Sequence, residues 1–308
     1  MRRLLILVFV TILFQAVFGQ KEKLGFNLAV GQMYHQTIQS STSSELQNVN
    51  GPKFKIGFVV SVKIAFTIIG LKDSIYDITA SFVQLSSVTK LPFGGGISFN
   101  SDKKDEHDTL SNVLRAVIDK PFLIKMTTHG KIVEIKNIDS IVKQALDKFP
   151  ELSLAQKIQF KGQFTQSFGE DVLRENLEMV TAIYPNNPVE KGDTWTLRRD
   201  FESKVKETFV STYQLKDKFE NYNLIVGNGN IEIPNEDGYT QINGMLMKSN
   251  STDSINKSLQ VDSKTGWIIK GKINESMSGK TEVKDDPNLP AGVKQTMTTS
   301  IEITYSSQ

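Results

Sequence analysis

The chain has 308 residues, no cysteine and a formal net charge of +2. That charge comes from Arg2 and Arg3, because without them the 36 basic residues would equal the 34 acidic ones. A nucleic-acid binder or an anionic-membrane binder is expected to carry a basic excess or a basic stripe along the sequence, and neither is present. The absence of cysteine also excludes disulfides and a cysteine-linked lipid anchor.

The first nineteen residues have the pattern of a cleavable signal peptide. Arg2 and Arg3 precede an apolar run, and Gly19 provides the small residue before the cut. The run of about a dozen residues is shorter than the roughly 20 that span a bilayer, which disfavours an uncleaved anchor. We therefore expect residues 1–19 to be removed and residues 20–308 to be exported, to the periplasm or the extracellular space, without a transmembrane segment.

A long period-two stripe follows in the first part of the chain. Every even position from residue 54 to residue 68 is apolar, which predicts a strand with one face against a core. The members are Phe54, Ile56, Phe58, Val60, Val62, Ile64, Phe66 and Ile68. At about 3.3 Å per residue the run exceeds the usual strand of about 17–20 Å, so we expect it to bend or to break in two.

Further strands and helices are indicated in chain order. A run containing Phe82 pairs with the first stripe, and Thr128-His129-Gly130 marks a second hairpin because glycine supplies the positive φ of a tight turn. Helical period appears at residues 110–118, behind Asp108 as N-cap, and at residues 138–149, 154–168 and 172–184. Strand period then resumes and continues to the end of the chain.

These patterns predict an α+β fold. We expect a large curved antiparallel sheet, resembling a half-barrel, with a central block of helices covering one face. Residues 20–308 are expected to form a single β-rich domain, with two related β-meander halves at residues 20–150 and 151–308. Two side-by-side α+β halves are the alternative.

The sequence shows no constellation typical of an enzyme. His35, His107 and His129 are the only histidines, and the charged run from Asp102 to Asp108 lacks the ligand spacing of a calcium loop. There is no Gly-x-Ser-x-Gly motif and no cysteine nucleophile. We predict no catalytic residue, no metal site and no cofactor, and hence no enzymatic activity.

The glycine-rich segment from Phe93 to Ile97 is unusually apolar for a loop. It lacks the Lys-Ser/Thr that would accompany a phosphate-binding loop. A lid over an apolar cavity and an ordinary packed loop are both consistent with it.

One motif carries a resemblance. Residues 185–195 read Pro-Asn-Asn-Pro-Val-Glu-Lys-Gly-Asp-Thr-Trp. This resembles a recurring element of uncharacterised secreted proteins of Bacteroidetes type, which are described only as domains of unknown function. A looser similarity, at the level of fold, is to periplasmic lipoprotein-carrier and lipid-binding half-barrels. The resemblance implies compartment and fold, and no catalytic residues.

The function that we predict is binding of an apolar or amphipathic ligand, such as a lipid, between the sheet and the helices. The expected ligand-binding residues are Phe54, Ile56, Phe58, Val60, Val62, Ile64, Phe66, Phe82, Phe93 and Trp267. The alternative role of the same stripe is a plain hydrophobic core, which is the commoner role of such residues. The alternative is a structural or protein-interaction module that uses its sheet face on envelope components, and an enzyme comes third. Nucleic acid is not an expected partner.

Overall fold

The computed structural model describes residues 21–48, 51–105, 107–202, 206–232, 239–242, 245–284 and 293–307. The predicted leader, residues 1–19, lies outside these ranges. In the described part of the chain the strands are β1 (Met33–Asn48), β2 (Lys53–Lys72), β3 (Ile75–Lys90), β4 (Gly96–Asn100), β5 (Pro121–Thr127), β6 (Ile132–Lys136), β7 (Thr194–Glu202), β8 (Lys206–Lys218), β9 (Tyr222–Glu232), β10 (Thr240–Ile242), β11 (Met245–Asp262), β12 (Ile268–Val283) and β13 (Val293–Ser306). The helices are α1 (Thr109–Val117), α2 (Ile138–Asp147), α3 (Leu154–Phe168) and α4 (Glu170–Thr181).

All of these strands belong to one open antiparallel sheet. The order across it is β6-β5-β3-β2-β1-β13-β12-β11-β9-β8-β7, with β4 paired to β3 and β10 paired to β11. Strands β1–β6 therefore form one side and β7–β13 the other, and the β1–β13 ladder joins them. Whether the two sides are copies of one repeat stays a prediction.

The predicted α+β class with a helical block is wrong. About 57% of the described residues lie in strands and about 18% in helices, so the protein is mostly antiparallel β. The helices are individually recognisable in the sequence, but they contain only 9 to 15 residues each. The strands reach 20 residues, and they dominate the architecture.

Several local patterns agree with the structure. The stripe that begins at Phe54 lies in a single unbroken strand of 20 residues. Its pairing with β3 contains β-bulges, which bend a strand locally without ending it. Asp108 caps α1 by accepting a hydrogen bond from the backbone N–H of Ser111 at 3.0 Å. Gly130 lies in the β5–β6 turn with φ +85°.

The N-terminal segment, residues 21–32, connects turns from both sides of the sheet. The N–H of Phe26 donates to the carbonyl of Thr128 in the β5–β6 turn at 2.8 Å. The N–H of the next residue, Asn27, donates to the carbonyl of Thr265 in the β11–β12 turn at 2.9 Å. The two turns are therefore held beside each other, which requires the sheet to curve.

Glu178 on α4 bridges the two edge strands of the sheet. Its Oε1 accepts a hydrogen bond from the N–H of Ile132 on β6 at 2.7 Å. Its Oε2 forms an ion pair with Nη1 of Arg199 on β7 at 3.1 Å, and both charged side chains are largely buried. The face of the sheet that carries Arg199 and contacts α4 is called the inner face below.

A buried lysine of the sheet makes a hydrogen bond to the C-terminal end of α4. Lys257 on β11 is 4% exposed, and its Nζ donates to the carbonyl of Met179 at 2.9 Å and to the hydroxyl of Tyr213 at 3.0 Å. The Met179 carbonyl is one of the last four carbonyls of α4, and such carbonyls have no hydrogen-bond donor within the helix. The Lys257 nitrogen also lies 4.6 Å from the ring centroid of Phe209.

Removal of the Glu178 carboxylate is expected to destabilise the protein strongly. Glu178→Ala leaves Arg199 as a buried charge without this partner, a change that typically costs about 3–5 kcal/mol. Glu178→Gln keeps an oxygen for the N–H of Ile132 and is the matched control. Urea unfolding should show a smaller loss for the glutamine variant, and equal small losses for both variants would contradict the bridging role.

The unfolding free energy is expected to rise with pH because of Lys257. Burial, and then the charge of Arg199, hold the pKa of Lys257 well below its ordinary value of 10.5. Between the folded-state pKa and 10.5 the unfolded chain binds more protons than the folded protein, so raising the pH through this window stabilises the fold.

The pH dependence can be measured by urea unfolding between pH 7 and pH 9.5. Burial raises the pKa of the neighbouring Tyr213, so that hydroxyl stays protonated in this range. Burial also raises the pKa values of the Glu275 and Asp253 carboxyls, which makes stability fall as the pH rises, the opposite of the effect expected from Lys257. Lys257→Met should abolish the rise and Lys272→Met, at an exposed position, should keep it. An unchanged rise in Lys257→Met would contradict the assignment.

Candidate functional site

A groove of about 150 Å³ lies between the inner face of β1–β3 and the corner where α3 meets α4. Its floor is made by cross-strand pairs, because Ser40 lies opposite Val60 and Ile38 lies opposite Val62. The floor residues are Ile38, Ser40, Thr42, Phe58, Val60, Val62 and Phe82, and the wall residues are Gln166, Ser167, Phe168, Val172, Leu173 and Asn176.

Every side chain that lines the groove is apolar or is polar and neutral. An unpaired charge would lose its hydration there without compensation, whereas a hydroxyl or carbonyl group could be met by serine, threonine or amide side chains. The groove is therefore chemically suited to a neutral molecule.

Hydrogen bonds fix the position of the groove wall. The hydroxyl of Tyr305 on β13 donates to the backbone carbonyl of Asn176 at 2.9 Å. Burial raises the pKa of Tyr305, so the hydroxyl remains a neutral donor. The side-chain amide of Asn176 donates to the carbonyl of Val172, one turn earlier in α4, also at 2.9 Å. The hydrogen bond from Tyr305 thereby holds the middle of α4 over the sheet at the groove.

The structure brings four of the predicted ligand-binding residues together in this groove. Phe58, Val60 and Val62 come from β2, and Phe82 comes from β3. Phe58 and Val60 are half-buried, so they are within reach of a ligand, whereas Phe82 is fully buried and its ring packs against Phe122 and Phe164.

Three of the predicted residues lie in the core instead. Ile64, Phe66 and Trp267 are buried. The ring of Trp267 packs against Tyr34, Phe66 and Phe26 at centroid distances of 4.8, 5.5 and 6.2 Å. Phe66 and Trp267 also line a cavity of about 20 Å³, which has room for little more than one water molecule.

The remaining three lie along the stripe beyond the groove. Ile56 and Phe54 are half-buried on β2. Phe93, in the β3–β4 turn, is 93% exposed, and its ring contacts that of Phe54 at 5.7 Å. The groove lining includes no residue of the glycine-rich turn, so the lid that the sequence suggested does not cover the groove in this structure.

Sequence reasoning missed the residues that other elements contribute to the groove. Ile38, Ser40 and Thr42 reach it from β1, and the wall comes from the α3–α4 corner. The alternation in β1 is readable in the sequence, but only the β1–β2 register shows that Ser40 lies beside Val60. The wall residues carry no signal of their own.

Other types of site find no support in the described residues. In the ranges that the structure describes, no group of three or more histidine, cysteine, aspartate or glutamate side chains could hold a metal ion. No helix within those ranges is long and apolar enough to cross a membrane. Lys257 has unusual electrostatics, but its hydrogen bonds hold α4 and it does not line the groove.

The proline-containing motif at residues 185–195 forms a structural corner. Gly192 has φ +96°, and the carboxylate of Asp193 accepts a hydrogen bond from the N–H of Glu190 at 3.1 Å. The indole N–H of Trp195 donates to the carbonyl of Ile183 at 2.8 Å. These contacts direct the chain from α4 into β7 and account for the motif without a ligand.

Comparison with solved structures shows a likeness in fold. The chain is similar to lipovitellin, in a structure described for its lipid–protein interactions, with a TM-score of 0.51 and 13% sequence identity. The match covers 92% of this chain and 25% of lipovitellin, so this chain spans about a quarter of that protein's length. At this identity the likeness concerns the fold alone.

Two other structures align over most of the chain with TM-scores too low to support a shared fold. They are DynF from the dynemicin biosynthesis pathway of Micromonospora chersina, with a TM-score of 0.19, 5% identity and coverages of 94% of this chain and 87% of that one, and an outer membrane channel from Pseudomonas putida F1, with a TM-score of 0.20, 7% identity and coverages of 91% and 97%.

In sequence, no curated protein matches the chain. A family model does match, over residues 73–268, and its description is a family of unknown function, DUF6263. The matched range runs from the β2–β3 turn to the start of β12 and includes the four helices. The bacterial group suggested by the sequence resemblance stays a prediction. The chain belongs to the family of unknown function DUF6263.

Proposed function

We propose that this chain is an exported, non-enzymatic binding protein that holds an apolar chain or ring with a neutral polar end. The observation that carries the proposal is the groove between the inner face and the α3–α4 corner, whose lining combines an apolar floor with uncharged hydrogen-bonding groups. Such a combination is typical of small-molecule sites, where apolar contacts supply affinity and a few polar groups fix orientation.

The size of the groove limits what it can hold. Its volume of about 150 Å³ is close to that of an engineered apolar cavity which binds benzene. A longer ligand would have to continue outside it. The half-buried Ile56 and Phe54 extend the same stripe of β2, and they would contact the rest of an acyl chain.

The fold likeness supports the same proposal. Lipovitellin, which this chain resembles at a TM-score of 0.51, is described for lipid–protein interactions. A lipid also agrees with the neutral, largely apolar lining of the groove. Export rests on the predicted leader, and the absence of enzymatic activity rests on the lack of a recognisable catalytic constellation in the sequence.

Filling the groove should weaken ligand binding. Val60→Trp places a large side chain on the groove floor, and the affinity for pyrenedodecanol, followed by pyrene fluorescence, is expected to fall at least about tenfold. Val59→Trp is the matched control, because the neighbouring residue of β2 is also half-buried but points to the opposite face.

Urea unfolding of both tryptophan variants checks that the fold is retained. Equal binding by the two folded variants would contradict the groove as the site, and so would failure of the unaltered protein to bind the probe. If Val60→Trp does not fold, Thr42→Leu, which removes a polar group from the floor with little added volume, should still weaken binding of the alcohol.

The neutral lining also predicts a preference between ligands. At pH 8 pyrenedodecanol ends in a neutral hydroxyl group, whereas pyrenedodecanoic acid ends in a carboxylate. In the groove the carboxylate would lose its hydration without gaining a cationic partner. We expect the alcohol to bind at least about fivefold more tightly. Tighter binding of the acid would show that a cationic group reaches the ligand and would overturn the neutral assignment.

A further inference from the structure

The tip of the β3–β4 hairpin is an exposed apolar surface. Phe93 is 93% exposed, and Leu91 and Ile97 beside it are also exposed. No charged residue occurs from Leu91 to Phe99. A nearly fully exposed phenylalanine flanked by further apolar side chains is unusual for a surface turn that contacts only water.

The backbone of the tip presents the Phe93 ring to solvent, beside the ring of Phe54. Phe93 has φ +67°, and Gly94 and Gly95 follow with φ +91° and +85°. A positive φ is strained for a bulky residue, so the conformation presents the ring at an energetic cost. A Cβ atom at Gly94 or Gly95 would meet no atom within 4 Å beyond the adjacent residues, so open space surrounds this part of the turn.

Lysine residues lie directly behind the tip on the opposite face of the sheet. Lys90 is paired with Gly57, and Lys55 and Lys53 precede that glycine on the same face of β2. All three lysines are exposed. The carboxylate beside them is that of Glu45, which pairs with Lys53 at 2.6 Å. The overall charge is balanced, but strand pairing concentrates positive charge at this end of the sheet.

We infer that this hairpin tip docks on the surface of an anionic phospholipid membrane. Phe93 and Leu91 would enter the boundary between headgroups and acyl chains, and the lysines would meet lipid phosphates. The docking is shallow, because the N–H and C=O groups of Gly94 make no backbone hydrogen bond to the described residues and would be unsatisfied in the hydrocarbon core.

The lysines beside the tip favour an anionic membrane over an apolar protein surface as its partner. An apolar protein partner would have no need of the lysines, whereas an anionic bilayer attracts them and also accepts Phe93. The tip lies at the end of the stripe that leads through Phe54 and Ile56 to the groove, so the docked end is continuous with the proposed site. Docking does not depend on what the groove holds.

Vesicle sedimentation tests the inference, with the protein purified after export. We expect binding to vesicles of phosphatidylcholine that contain about 30% phosphatidylglycerol, and little binding to phosphatidylcholine alone. Phe93→Ser should lower the affinity at least about fivefold. Lys55→Gln combined with Lys90→Gln should lower it by a similar factor and reduce its sensitivity to salt.

Phe219→Ser is the matched control. Phe219 is an aromatic residue of the β8–β9 turn, 45% exposed, at the opposite end of the sheet, so its loss should leave vesicle binding unchanged. The unfolding midpoint of Phe93→Ser should equal that of the unaltered protein, because the ring is almost entirely exposed. Equal binding by Phe93→Ser, or no binding of the unaltered protein to the anionic vesicles, would overturn the inference, whatever the groove binds.

Discussion

The contact on which the structure depends most is the bridge that Glu178 makes between the two edges of the sheet. Ten strand spacings separate β6 from β7 along the sheet, and at about 4.8 Å each a flat sheet would place them about 48 Å apart. One carboxylate nevertheless contacts both, through the N–H of Ile132 and the guanidinium of Arg199. The sheet must therefore wrap around α4, and the buried Lys257 fixes the end of that helix within it.

Wrapping creates an inner face that the helices cover only in part. The longest helix, α3, has 15 residues and is about 22 Å long, whereas β2 has 20 residues and is about 65 Å long. Side chains deep in the wrapped region, such as Ile64, become core. Side chains where the helical cover ends, such as Val60, line a groove. Those beyond it, such as Phe54, remain half-buried. One period-two stripe thus has three environments.

The sequence predicts the elements better than their assembly. The strand from Lys53, the α3 helix and the Gly130 turn follow from local periodicity and turn chemistry, which depend on neighbours along the chain. The predicted fold class is wrong because the helices, although recognisable, are short, whereas the strands are long and contain most of the residues. The period-two stripe shows which residues of β2 share one face of the sheet. It does not show that Val60 lines the groove whereas Ile64 lies in the core.

The missing information is long-range. The β1–β13 ladder pairs residues more than 200 positions apart, and no local pattern in either strand specifies that register. The same holds for the groove wall at Asn176 and for the lysines gathered around Lys90. Lys257 shows the limit most clearly, because a lysine in a strand is expected to be exposed and here it is buried.

The central claim is that the groove holds the polar end of a ligand and the apolar carbons next to it, and photolabelling tests it most directly. A long-chain alcohol with a diazirine on the carbons next to its hydroxyl group would be bound and irradiated, and the labelled peptides would be identified by mass spectrometry. The account predicts labelling on β2 around Val60 and on α4 around Val172, with displacement by unlabelled alcohol. Labelling confined to the outer face of the sheet, around Val59 and Lys63, would contradict it.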